Sequence, residues 1–264
     1  MNLFESIVLG IIQGLTEFIP VSSSGHLVIG QWFFSGASDH LFIEFINIGT
    51  LLALLVYFRH RIITILRDIF QNKNYALLRN ILITSVPAGI VGYFLSDFIA
   101  TAPFFGSVLT VTVTLAIVGV IMIVLEKLPK ATSVKDGEKL SPLKAFLIGV
   151  AQMLALIPGV SRSGATIITG RLAGLSPASA AEYSFLASLP IMLGVTLKLF
   201  VKESDRIYFI DHLPIMIASN VAAFIAGLVA VGFLMRYLSK HSLAVFGWYR
   251  LALAAVLALT LLVQ

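Results

Sequence analysis

The chain contains no cysteine among its 264 residues. Disulfides, thiol nucleophiles and thiolate metal sites are therefore excluded. Charged residues are also scarce, at 12% of the sequence against about 25% in soluble proteins. The first residues lack both a basic start and a small-residue cleavage site, so we expect them to remain as the first membrane element.

Apolar residues make up 58% of the sequence, above the roughly 45–50% of soluble domains. The net charge of +5 comes from basic residues in the segments between apolar runs, which is the positive-inside pattern of membrane proteins. This placement argues against a nucleic-acid partner. We predict an all-α, multi-pass membrane protein that forms a single integral membrane domain over residues 1–264.

Six apolar runs approach the roughly 20 residues that a membrane span needs. They lie at about 41–58, 80–98, 105–125, 177–200, 213–235 and 245–263. A solvated linker at 130–139 separates two halves, 1–130 and 140–264.

Two polar segments within apolar surroundings resemble each other. The first runs from Gly10 to His26 and the second from Gly149 to Thr166. When the first is shifted by 139 positions, seven residues match without a gap: Gly10, Gln13, Leu15, Val21, Ser22, Ser24 and Gly25. The repetition indicates that the two halves are structural repeats.

The stretches that carry these segments, about 3–34 and 142–174, do not form clean spans. In the first, the roughly ten apolar residues before Gln13 reach only the bilayer centre at about 1.5 Å per residue. We expect two re-entrant helix–loop–helix hairpins, since broken backbone at membrane depth must be packed in protein or line a wet cavity. Re-entrant and fully spanning arrangements give the same ratio of basic residues between the two sides of the membrane, so the distribution of charge does not decide between them. With re-entrant hairpins, the halves would be inverted-topology repeats that meet at a midplane site.

The second segment supplies a guanidinium to such a site. Arg162 lies in an apolar region, where an arginine costs at least about 2.5–3.5 kcal/mol and usually faces a partner or a cavity. Its planar fork suits bidentate phosphate contacts. The alternative is a structural salt bridge to Glu17 or Glu182. The serines around Arg162 and around Ser22 are expected to open the second arms of the hairpins, where helix N-termini attract anions.

The first segment supplies a carboxylate and an imidazole. His26 follows three serines and could act as nucleophile or general base. Glu17 could be a general acid or base, a ligand for a divalent cation, or a residue that orients His26. We interpret Glu44, Asn47, Glu182 and Ser184 as second-layer or packing residues, and Arg250 as a snorkelling or interhelical residue.

The chain resembles a known family, the undecaprenyl-diphosphate phosphatases of the BacA type. Two long motifs carry the resemblance. One runs from Gln13 through Glu17, Pro20 and Ser22–Ser24 to His26, and the other is Pro-Gly-x-Ser-Arg-Ser-x-x-Thr from Pro158 to Thr166. Many members carry a second glutamate where this chain has Gln13, which puts a two-carboxylate metal clamp in doubt.

The resemblance implies six spans with two re-entrant hairpins, and hydrolysis of undecaprenyl diphosphate to undecaprenyl phosphate and inorganic phosphate. It also implies a bacterial inner membrane, a site that faces the periplasm, and a divalent cation (Mg²⁺ or Ca²⁺) bound with the substrate, with Glu17 as its candidate ligand. The catalytic residues expected from it are Glu17, Ser23, His26 and Arg162. The substrate-binding residues are Gln13, Ser22, Ser24, Ser161, Ser163 and Thr166.

A transporter or flippase for an anionic lipid phosphate is the competing interpretation, because inverted repeats with broken helices are common among transporters. The group of Glu17, serine hydroxyls and His26 favours an enzyme, since transport alone does not require it. The sequence leaves open the nucleophile, which could be His26, Ser23 or a water, and the formation of a homo-oligomer.

Overall fold

A computed structural model describes residues 2–35, 39–128, 134 and 136–263. Within these ranges every regular element is helical. The α-helices are α1 (Leu3–Phe18), α2 (Ser23–Ser35), α3 (His40–Tyr57), α4 (Arg59–Phe70), α5 (Ala76–Phe94), α6 (Ser96–Thr101), α7 (Pro103–Gly106), α8 (Val108–Lys127), α9 (Pro142–Met153), α10 (Arg162–Leu172), α11 (Pro177–Val201), α12 (Glu203–Asp211), α13 (Leu213–Leu238) and α14 (Ala244–Val263).

Six helices of the described chain are long and apolar enough to cross a membrane: α3, α5, α8, α11, α13 and α14. The six predicted spans are therefore confirmed. The second span differs from its prediction at both ends: the helix runs over Ala76–Phe94, whereas the apolar run suggested 80–98. The apolar sequence continues past the helix end into α6, so hydropathy alone places this span too late. Residues 130–133 and 135 of the predicted linker lie outside the described residues.

Both polar segments fold as two short helices joined by a break. In each break a serine has a positive φ, 75° at Ser22 and 72° at Ser161, which is uncommon for a residue with a side chain. Each serine then caps the helix that follows. Ser22 Oγ accepts from the Gly25 amide at 3.3 Å, and Ser161 Oγ accepts from the Gly164 amide at 3.1 Å. The two breaks thus share backbone conformation and capping at positions 139 apart.

The first helix of each polar segment packs against a helix from the other half of the chain. Helix α1 lies on α13, and α9 lies on α5. The approach is close enough to require glycine: a Cβ at Gly10 would lie 2.4 Å from the Ser219 carbonyl oxygen, and one at Gly149 would lie 2.7 Å from that of Thr84. Other packed pairs include α3 with α13, α5 with α11, and α8 with α14. The halves are interleaved, so their polar breaks can meet.

The interface between α1 and α13 gives a prediction about packing. At Gly14 a Cβ would lie 2.5 Å from the Ala223 carbonyl oxygen and 2.7 Å from the Gly227 amide nitrogen, and backbone atoms cannot move aside cheaply. We expect Gly14→Ala to destabilise the fold by about 1–3 kcal/mol, the usual cost of overpacking, seen as a lower thermal unfolding midpoint in detergent.

Gly89→Ala is the matched control, since a Cβ at this helical glycine meets nothing within 4 Å. Alanine is intrinsically better than glycine in a helix, so this variant should be neutral or stabilised. Equal midpoints for the two variants would contradict the close packing of α1 on α13.

Candidate active site

The carboxylate of Glu17, at the end of α1, binds donors from both polar segments. Arg162 NH2 donates to its Oε1 at 2.5 Å, across 145 positions of sequence. Ser23 Oγ donates to Oε2 at 2.6 Å, and Gln13 Nε2 donates to the same oxygen at 3.2 Å. Arg162 and Ser23 are the first residues of α10 and α2. One carboxylate therefore joins the end of α1 to the first residues of α2 and α10.

A chain of amides fixes the orientation of Gln13 beside this carboxylate. Asn47 Nδ2 donates to the Ile43 carbonyl at 2.9 Å, so its Oδ1 faces Gln13 and accepts from Nε2 at 2.6 Å. The Nε2 group of Gln13 therefore donates two hydrogen bonds. The Oε1 atom of the same residue is buried and has no hydrogen-bond partner among the described residues. An unpaired buried acceptor is costly, so this oxygen is suited to a ligand that brings a donor or a cation.

A cavity of about 200 Å³ lies where the segments meet. It is smaller than the roughly 300–1,000 Å³ of sites for drug-sized ligands, which suits a polar head group rather than a lipid tail. Its lining residues come from both breaks and from α3: Gln13, Glu17, Ser23, Ser24, Leu27, Ile43, Asn47, Ala155, Ser161 and Arg162.

The cavity lies at the N-termini of two helices. Ser23 and Ser24 begin α2, and Ser161 caps α10 in front of Arg162. The prediction that serines lie at the start of the second helix in each polar segment is therefore confirmed. Free amide groups and the positive end of each helix dipole favour an anion here. Arg162 adds a guanidinium whose NH1 is buried without a partner in the described structure.

A second arginine, Arg250 on α14, holds the two breaks together. Its guanidinium donates to the Pro20 carbonyl at 2.7 Å, and to the carbonyls of Gly159 and Val160 at 2.9 and 3.1 Å. The side chain is 0% exposed, so the snorkelling interpretation is wrong and the interhelical one is correct. The cost of burying an arginine in apolar sequence, applied above to Arg162, was the signal that could have identified it.

His26 contacts a residue that the sequence did not suggest. Its Nδ1 lies 2.7 Å from the Ser22 carbonyl oxygen, and its Nε2 lies 2.7 Å from the Tyr249 hydroxyl. A carbonyl only accepts hydrogen bonds, so Nδ1 carries a proton, and the Nε2 of the neutral ring accepts from Tyr249. The two rings also stack, with centroids 5.7 Å apart. His26 is not among the residues that line the cavity.

The other predicted site residues lie behind the cavity. Ser22 is fully buried in the capping network of the first break. Thr166 Oγ1 donates to the Arg162 carbonyl at 2.8 Å and lies 2.5 Å from Ser184 Oγ. Ser163 Oγ donates to the Glu17 carbonyl at 3.4 Å. These three residues position the cavity-lining groups.

The four residues interpreted as second-layer do not behave alike. Asn47 binds Gln13, and Ser184 binds Thr166. Glu182 instead forms an ion pair with Arg61 at 2.9 Å. Arg162 therefore pairs with Glu17, one of the two partners that the sequence offered.

Comparison with known proteins identifies the family. The family model described as "Bacitracin resistance protein BacA" matches residues 6–256. The chain belongs to the BacA family. This BacA-family chain is 34% identical to "Undecaprenyl-diphosphatase 2" of Paramagnetospirillum magneticum, over 99% of this chain and 100% of the relative. It is 37% identical to "Undecaprenyl-diphosphatase 1" of Clostridioides difficile, over 97% of this chain and 95% of that protein.

Cation ligands are sparse in this BacA-family chain. Within the described residues, no group of three or more histidine, cysteine, aspartate or glutamate side chains could hold a metal ion. Glu17 is the carboxylate in the cavity lining, and the unpaired Oε1 of Gln13 belongs to the residue one helical turn before it. Two oxygens suit a cation that takes its remaining ligands from water and substrate phosphates.

The contact between His26 and Tyr249 generates a prediction about turnover. Tyr249→Phe keeps the stacked ring and removes the hydroxyl that fixes Nε2. The variant tests whether His26 serves the reaction: where its Nε2 takes part in turnover, kcat should fall about tenfold, as for the loss of a hydrogen bond worth about 1.4 kcal/mol, with KM and the thermal midpoint unchanged. The control is Tyr93→Phe, an exposed tyrosine on α5. Unchanged kcat in Tyr249→Phe would show that the hydroxyl does not serve the reaction.

Proposed function

We propose that this protein hydrolyses undecaprenyl diphosphate to undecaprenyl phosphate and inorganic phosphate, which recycles the lipid carrier for peptidoglycan synthesis and confers bacitracin resistance. Relatives that match nearly the whole chain are named undecaprenyl-diphosphatases. The observation that carries the proposal is the pairing of Arg162 with Glu17 at a small polar cavity between two helix N-termini. A fixed cation and free amides suit the charge that develops during phosphoryl transfer.

The substrate phosphates are held by Arg162 and by the amide groups at the starts of α2 and α10. Arg162 contributes the NH1 that has no protein partner in the described structure. These donors stabilise the equatorial oxygens of the terminal phosphoryl group. The anhydride bond then breaks, and undecaprenyl phosphate leaves with the bridging oxygen.

Ser23 is the nucleophile that the geometry favours. It lines the cavity and donates to Glu17 at 2.6 Å, so the carboxylate can accept its proton as the oxygen–phosphorus bond forms. A water that attacks the phosphoserine completes the hydrolysis. Direct attack by His26, or by a water, is the alternative. Mapping of a trapped phosphoenzyme separates them: phosphoserine at position 23 supports Ser23, phosphohistidine supports His26, and a reaction without a phosphoenzyme supports water.

We also propose that both broken segments are re-entrant and that residues 1–130 and 140–264 are inverted repeats. At about 1.5 Å per residue, the 16 residues of α1 and the 12 of α9 give about 24 and 18 Å, short of the roughly 30 Å hydrocarbon core. The matched breaks and the reciprocal packing of α1 on α13 and α9 on α5 support the repeat. The membrane is the bacterial inner membrane, and the cavity opens toward the periplasm.

A divalent cation, Mg²⁺ or Ca²⁺, is proposed to bind together with the substrate. Glu17 and the free Oε1 of Gln13 would hold it, and it would neutralise phosphate charge when bound. Because Gln13 supplies an amide oxygen rather than a carboxylate, the protein alone should hold the ion weakly.

A phosphate-release assay in detergent, on a panel of prenyl diphosphates, tests the function. We expect the protein to release phosphate from undecaprenyl diphosphate with no sealed compartment, which a transporter or flippase would not do. Arg162→Lys should reduce kcat/KM at least about 100-fold, the scale of one lost transition-state donor, because an ammonium cannot replace the planar fork. Arg67→Lys, on exposed α4, is the control. Absence of release by the unaltered protein would refute a phosphatase.

The cation proposal predicts the effect of a second carboxylate. Gln13→Glu would place two carboxylates one helical turn apart in a buried site, where like charges destabilise each other. We expect a lower thermal midpoint without divalent ions, and a rise on addition of Mg²⁺ or Ca²⁺ that is larger than in the unaltered protein. Substrate is not needed for this measurement. A midpoint that does not respond to either ion in the Gln13→Glu variant would place the cation elsewhere.

A further inference from the structure

The short helix α4, over Arg59–Phe70, is not used by the proposed reaction. It follows the span α3 directly, since Phe58 ends one helix and precedes the other. Its 12 residues cover about 18 Å, too short to cross a hydrocarbon core of about 30 Å. It is therefore not a further span, and it begins where α3 ends.

The inner face of α4 is fixed to the rest of the protein. Ile62 and Ile65 pack against the main hydrophobic core. Arg61 Nε donates to Glu182 Oε1 on α11 at 2.9 Å. These contacts set the rotation of the helix about its axis, so its opposite face is presented outward in one orientation.

That outer face carries an apolar stripe. Ile63, Leu66 and Phe70 are 53%, 47% and 78% exposed, and their spacing of three and four residues places them on one side of the helix. Side chains of this size are not expected to face water in a row.

Basic residues accompany the stripe. Arg59 and Arg67 are exposed on the same outer half of the helix, and exposed Lys73 follows its end. This charge is not a general property of the connections between spans, because residues 95–107, which link α5 to α8, contain no lysine or arginine. An apolar stripe beside arginines is the pattern of a helix that lies in the plane of a membrane interface.

We propose that α4 is an interfacial lipid-binding helix: Ile63, Leu66 and Phe70 insert at the level of the acyl chains, and Arg59 and Arg67 bind the head groups of anionic phospholipids. Charge complementarity selects this occupant over a neutral lipid or the apolar face of another protein. The inner ion pair and core contacts hold the stripe at the depth where it can insert. The inference is independent of the chemistry proposed for the cavity.

The absence of cysteine allows a direct test by single-site spin labelling. Cysteine replaces Ile63, Leu66 or Phe70, with Thr64→Cys on the exposed polar side as the matched control. The protein is placed in bilayer discs of phosphatidylcholine, with or without phosphatidylglycerol. We expect labels on the stripe to collide more with oxygen than with a water-soluble nickel chelate, and the label at position 64 to show the reverse.

The anionic preference is measured separately, as the ratio of phosphatidylglycerol to phosphatidylcholine that copurifies with the protein. At about 1 kcal/mol for each basic residue near an anionic surface, Arg59→Gln together with Arg67→Gln should lower this ratio by up to about 30-fold. Arg206→Gln on α12 is the control and should change it little.

Three results would overturn the proposal. Stripe labels that meet the nickel chelate more than oxygen would place α4 in water. Spin–spin broadening between labels on neighbouring copies would make the stripe a contact between protomers. A lipid ratio that does not respond to loss of the two arginines would remove the anionic head group as ligand.

Discussion

The buried guanidinium of Arg250 is the interaction on which the geometry of the cavity depends. A helix that breaks within a membrane exposes backbone carbonyls that the hydrocarbon cannot satisfy. Arg250 donates to Pro20 in one break and to Gly159 and Val160 in the other. A single side chain therefore satisfies orphan groups from both halves and fixes the distance between them. Glu17 and Arg162, which lie at the edges of the two breaks, pair beside the carbonyls that this guanidinium joins.

The breaks also show where the chain tolerates strain. Ser22 and Ser161 adopt a backbone conformation that most residues avoid, and each turns the chain so that a new helix begins at the cavity. Glycine would adopt this conformation more easily, but it lacks the hydroxyl that caps Gly25 or Gly164. The serines thus combine a sharp change of direction with helix capping, and they aim two positive helix ends at one small volume.

Much of this arrangement could be predicted from the sequence, because hydropathy and repetition are local signals. The six spans, the presence of a break in each polar segment, and a salt bridge from Arg162 to Glu17 or Glu182 as one alternative follow from apolar runs and from the cost of isolated charges. The contact of Tyr249 with His26 could not be predicted, since 223 positions separate them and an aromatic residue in a span has no distinctive pattern. The sequence offered an interhelical role for Arg250 but not its partners, because the carbonyls that it binds become unsatisfied only once both breaks exist.

Helix α14, which carries Arg250 and Tyr249, follows both broken segments in the chain order. Domains emerge from the ribosome from their N-terminus onward, so both broken segments are made before the side chain that binds the carbonyls of Pro20, Gly159 and Val160. During biosynthesis the unfinished protein would hold a carboxylate, an imidazole and a guanidinium in the bilayer without the element that organises them. Formation of the cavity is thereby coupled to synthesis of α14, because this helix carries the side chain that joins the two breaks.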